Sequence, residues 1–107
     1  MTARIIDGKA VAATLRARLA EQVARLPFRP GLAVVLVGDN PASAIYVRAK
    51  DRAASAVGIA AHTIRLPADV SEEALITQIA RLNADPAVDG ILVQLPLPPQ
   101  ITSQAVI

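Results

Sequence analysis

The sequence predicts an α/β fold: a parallel sheet of three or more strands with helices on its faces, a Rossmann-like three-layer sandwich that these residues leave incomplete. Three observations carry that expectation. Helical periodicity and apolar runs alternate in the order helix, strand, helix, strand, helix, strand. The run Leu32–Val37, LAVVLV, is apolar without alternation, as in a strand covered on both faces. Gly and Pro punctuate the boundaries at Pro30-Gly31, Gly38, Gly58, Asp85-Pro86 and Asp89-Gly90.

The elements follow in order. Asp7 can cap a first helix, whose apolar stripe is Val11, Leu15, Leu19 and Val23, with Leu26 closing it. Pro27 and Pro30-Gly31 end it and lead into the apolar strand. Pro41 suits the first turn of a second helix, with Asn40 as its cap and Gly58 as its stop. Ile45, Ala49, Ala53 and Val57 are expected to face inward from it. Ile59–Leu66 reads as a second strand, weakened by His62, Thr63 and Arg65. Ser71 begins a third helix, with Glu72 and Glu73 where the helix dipole favours acids. Leu75, Ile76, Ile79 and Leu82 supply its apolar face, and Asp85-Pro86 breaks it. Ile91–Val93 is a third buried strand. A last helix barely starts after Thr102, which reads as a fragment of a larger fold.

Composition narrows the function. The chain has 107 residues, the size of one domain. It is 53% hydrophobic and 2% aromatic, so its core is built from Val, Ile, Leu and Ala. With no cysteine and one histidine, His62, it excludes thiolate catalysis, disulfides and Cys/His zinc sites. No stretch approaches the roughly 18 uncharged apolar residues of a membrane helix. The start, MTARIIDGKAVAA, is not a signal peptide. A soluble cytoplasmic protein with no membrane partner is therefore expected. The net charge is +2 and the basic residues are scattered, so no nucleic-acid footprint is visible. Lys9 and Lys50 are the only lysines among 11 basic residues. Lysine can lose its proton where arginine effectively cannot.

The stretch Val34–Lys50, VVLVGDNPASAIYVRAK, concentrates the candidate chemistry. A strand hands over to a helix there, and open α/β sheets bind ligands outside the carboxyl ends of their strands. At about 100° per residue, Ser43, Tyr46 and Lys50 fall within about 60° of one another, on one edge stripe. Two readings fit. Lys50 moves protons while Tyr46 lies against a flat ligand, or Lys50 snorkels and Tyr46 fills a gap at the core edge. Gln94 ends an apolar strand, where it can meet a ligand, hold a lysine, or cap neighbouring backbone. Leu95-Pro96-Leu97-Pro98-Pro99 is stiffened by its prolines and reads as a rigid cleft wall. Asp39 and Asn40 are turn chemistry rather than metal ligands. Neither phosphate-loop pattern, GxGxxG nor GxxxxGK[ST], is present. His62, mid-strand, reads as structural.

These residues resemble the bifunctional methylenetetrahydrofolate dehydrogenase/cyclohydrolase family, in its N-terminal catalytic domain. Pro30-Gly31-Leu32, VLVGDNPAS at Val35–Ser43 and YVRAK at Tyr46–Lys50 match one signature; VDGILVQLPLP at Val88–Pro98 matches a second. Ile6-Asp7-Gly8-Lys9 is also family-like. The resemblance implies that residues 1–107 are a folate-binding domain, with a separate NADP-binding domain outside them. It implies oxidation of methylenetetrahydrofolate with NADP, then hydrolysis of the methenyl product to formyltetrahydrofolate, by a homodimeric parent. It implies an acid/base role for Lys50, positioning of Lys50 or folate by Gln94, and contact of Tyr46 with the folate ring. Ser43 lines the same pocket and Leu95-Pro96 its wall, while NADP is not expected to bind this chain alone. The alternative is a small α/β interaction or regulatory module in which Lys50 and Gln94 are structural.

Overall fold

The computed structural model describes residues 2–107. Helices α1 (Gly8–Ala24), α2 (Pro41–Ala56), α3 (Glu72–Ala84) and α4 (Ser103–Val106) alternate with strands β1 (Gly31–Val37), β2 (Ala60–Leu66) and β3 (Gly90–Val93). The alternation is the one expected from sequence, and the caps act as expected. Asp7 accepts from the Lys9 and Ala10 amides at 3.1 and 3.3 Å. Asn40 Oδ1 accepts from the amides of Ala42 and Ser43 at 3.0 and 3.4 Å. Pro41 occupies the first turn of α2, where a missing N–H leaves nothing unpaired. Gly58 follows α2 with φ +93°, a conformation that glycine adopts without Cβ strain.

The three strands are parallel in the order β2-β1-β3. Val35 of β1 lies opposite Ile64 of β2 and Val93 of β3. The central position explains why β1 lacks alternation. Ala33, Val35 and Val37 enter a core with Leu75 and Leu82 of α3 and Ile101. Val34 and Leu36 face the other way and pack with Val47 of α2. Fully burying each such aliphatic side chain stabilises the fold by about 1.5–3 kcal/mol. At the amino ends, the Gly31 amide donates to Asp89 Oδ2 and the Asp89 amide to the Gly31 carbonyl, both at 2.8 Å.

Four sequence expectations need correction. β3, expected to be buried, is half-buried along its length because it pairs on one side only, at the edge of the sheet. On α2 the buried residues are Ser43, Val47 and Ala54, with Val57 just beyond, whereas Ile45 is 61% exposed and Ala49 is also exposed. This helix carries apolar residues on two faces, and the sheet takes the one built from Val47 and Ala54. On α1 no residue is buried, and Val11, Leu15 and Leu19 are exposed. Amphipathic spacing makes a helix, but burial needs a partner surface, and no described element covers these three. On α3 Leu75 and Leu82 are buried and Ile79 half-buried, while Ile76 lies at the exposed margin.

Candidate functional site

Strand alternation decides which way Gln94 points. Leu92 packs with the α2-side cluster. Side chains two apart share a face, so Gln94 also faces α2. Its amide donates to the Val35 carbonyl at 2.9 Å, extending the ladder one residue past β3. On α2, Val47, Lys50, Ala54 and Val57 all lie within about 40° of Ser43 around the helix axis. Lys50 thus belongs to the stripe that faces the sheet. Helical side chains lean toward the helix N-terminus, here toward the carboxyl edge. The Lys50 stem therefore rises to the level of Gln94.

The two side chains meet. Lys50 Nζ donates to Gln94 Oε1 at 2.6 Å. Gln94 Nε2 donates to the Leu95 carbonyl at 3.0 Å, which turns the amide oxygen toward the lysine. Gln94 is 9% exposed, so a buried acceptor is satisfied by a lysine whose own body is exposed on α2. The partner is a neutral amide. Its oxygen can accept an N–H from an ammonium or from a free amine, so it can hold the nitrogen's position in either form.

The other expected site residues are placed less uniformly. Ser43 is 2% exposed and lies between α2 and the sheet rather than on the edge stripe expected for it. Its spacing from Lys50 was legible, but not that the stripe itself turns inward. Tyr46, one turn before Lys50, is 60% exposed. Leu95 is 46% exposed and joins the pair through its carbonyl. Pro96 lines a groove of about 280 Å³ with Val37, Gly38, Asp39, Ala68 and Pro98. Lys50 and Tyr46 stand outside that groove, on its α2 side. The segment does not simply prolong β3: Leu97 packs with the α3-side core, and the Leu95–Pro96 peptide bond is cis. His62 is exposed and lines a cavity with Phe28, Asp85 and Asp89 at the amino ends of the strands, away from Lys50.

One residue of this edge carried no sequence signal. Gln100 follows Pro98 and Pro99 in a stretch without periodicity. Its Nε2 donates to the carbonyls of Ala68 at 2.7 Å and Val70 at 3.1 Å.

Residues 6–107 match the family model described as tetrahydrofolate dehydrogenase/cyclohydrolase, catalytic domain. The chain belongs to the tetrahydrofolate dehydrogenase/cyclohydrolase family. A relative from Acidiphilium cryptum, named bifunctional protein FolD, is 67% identical over the whole chain, which spans 38% of that protein. A methylenetetrahydrofolate dehydrogenase structure from the silkworm Bombyx mori superposes with a TM-score of 0.93 at 47% identity, covering 98% of this chain and 38% of that one. The FolD structure from Trypanosoma brucei, complexed with NADP cofactor and inhibitor, gives a TM-score of 0.88 at 42% identity, over 99% of this chain and 38% of that one. The chain thus corresponds to well under half the length of these family members.

The β1–α2 junction does not fit a dinucleotide. A helix N-terminus binds phosphate through free amides, but the Ala42 and Ser43 amides are held by Asn40 and Pro41 has none. Asp39 adds a carboxylate at the same turn, which repels a pyrophosphate rather than seating it.

Proposed function

We propose that this chain is the tetrahydrofolate-binding catalytic domain of a bifunctional methylenetetrahydrofolate dehydrogenase/cyclohydrolase, and that Lys50 carries the proton transfers of the hydrolytic step. The parent enzyme takes NADP, a reading supported by the NADP complex of the trypanosomal relative, and the filled amides of the β1–α2 turn favour a seat for it outside this chain. The observation that carries the assignment of roles is the 2.6 Å bond between Lys50 and a buried glutamine at the carboxyl edge of the sheet, in a chain of this family.

The chemistry asks for what that pair offers. Water adds to the methenyl carbon between the two folate nitrogens, forming a C–O bond and losing a proton to Lys50 as the free amine. Breaking one C–N bond then requires a proton on the departing nitrogen, which the resulting ammonium gives back. The hydroxyl proton leaves as the formyl C=O forms. A group that alternates between amine and ammonium needs an anchor that accepts from both without adding a charge of its own, and the Gln94 amide is one. Tyr46 offers an exposed ring face to the pterin, Ser43 underlies the same stripe, and Leu95-Pro96 form the facing wall.

The test is hydrolysis of 5,10-methenyltetrahydrofolate by this chain, and by the chain continued with the remaining residues of the Acidiphilium relative. Positioned acid/base groups contribute about 10²–10⁴ in rate. Lys50→Met is expected to lose activity by that factor while still unfolding cooperatively. Turnover in a folded Lys50→Met protein equal to that of the unaltered one refutes the role given to Lys50.

A further inference from the structure

We propose that Gln100 is a positioning residue for the folate wall, an inference that rests on the function proposed above. The wall is a segment poorly able to hold itself. Three residues of Leu95–Pro99 are proline and have no N–H to donate, so main-chain bonding is scarce just where the segment leaves the sheet. Its near end is anchored by Gln94, whose main-chain N–H donates to the Val35 carbonyl and whose side-chain NH₂ donates to the Leu95 carbonyl. Its far end is anchored by Ile101, which is 5% exposed in the α3-side core, and by the Thr102 amide, which donates to Glu72 at 3.3 Å.

Between those anchors, Gln100 ties the segment sideways. Its single NH₂ reaches two carbonyls of the β2–α3 loop, those of Ala68 and Val70. Ala68 and Pro96–Pro98 line the same groove. By holding the Ala68 carbonyl, the Gln100 amide ties the loop to the chain that carries Pro96–Pro98 and limits how far these two linings can separate. Both partners are acceptors, so the strap works only with a donor at this position. Gln100 does not touch Lys50 or Gln94. Losing it should let the wall move without disturbing the nitrogen that moves protons.

Steady-state hydrolysis of 5,10-methenyltetrahydrofolate tests this, in whichever of the two preparations above turns over. Gln100→Glu keeps the shape but turns acceptors toward acceptors. It is expected to raise KM about tenfold with kcat changed less than twofold, a difference of one decade being about 1.4 kcal/mol. Gln100→Lys, which restores a donor of similar reach, is expected to return KM to within twofold of the unaltered protein. Gln100→Met removes the donor without adding charge and is expected to shift KM in the same direction by less. An unchanged KM in Gln100→Glu and Gln100→Met overturns the proposal. So does a loss confined to kcat, or a Gln100→Lys protein no better than Gln100→Glu. Absence of turnover in both unaltered preparations refutes the functional reading itself and this inference with it.

Discussion

Replacing Gln94 by glutamate tests the idea that the lysine's partner must be neutral. The change is nearly isosteric. It keeps an oxygen beside Lys50 but exchanges the amide dipole for a full charge. At the observed 2.6 Å, two unit charges attract by about 6 kcal/mol at an effective dielectric of about 20. Residue 94 is 9% exposed, so desolvation offsets much of this. Hydrogen bonds to charged groups retain a net value of about 1.5–3 kcal/mol. The carboxylate stabilises the ammonium over the free amine, and in the proposed step it is the free amine that takes the proton from water. The rising limb of the pH–rate profile should therefore move to higher pH, by about one to two units at 1.36 kcal/mol per unit. At neutral pH the variant should be about 10–100-fold slower, recovering as the solution becomes more basic. The assay is methenyl absorbance loss followed across pH, with a melting curve at each point. A profile that stays in place, or moves to lower pH, refutes the reasoning that a neutral anchor is what the lysine needs.

Two further outcomes follow from packing. A Cβ at Gly31 would fall on the Ala87 carbonyl, a backbone atom that cannot swing aside. Gly31→Ala should therefore cost more than about 1–3 kcal/mol, the usual range for overpacking, and a thermal melt no lower than that of the unaltered chain would contradict the close approach of β1 to the Asp85–Asp89 turn. Leu19→Gln on α1 should leave the stability of this chain within about 0.5 kcal/mol, as for surface positions generally; a loss of several kcal/mol on denaturant unfolding would show that the helix packs on the sheet after all.

Much of the fold was legible because several signals agreed. The LAVVLV run, the Asn40-Pro41 start and the Gly58 stop each had one good structural solution, and the alternation of helix and strand implied a parallel sheet, though not the order β2-β1-β3. The inward face of α2 was not legible. Ile45, Ala49 and Ala53 form one apolar stripe and Val47, Ala54 and Val57 another, so periodicity alone could not choose. The choice is settled by packing, where Val47 meets Val34 and Leu36 of β1. That ambiguity hid a useful fact: Lys50 sits on the stripe facing the sheet, not beside it. The pairing of Lys50 with Gln94 was within reach, since a buried amide must find a partner. The Gln100 strap was not, because its acceptors are main-chain carbonyls and any residue type supplies those.

The bond between Lys50 and Gln94 joins residues 44 apart in the chain. It cannot form until β3 lies along β1, and parallel pairings of this kind are slow because long loops must close first. The same four residues, Gly90–Val93, bring Ile91 and Val93 against the α3-side core and lead on to Ile101 within it, so the core and the Lys50–Gln94 pair are completed by one docking event.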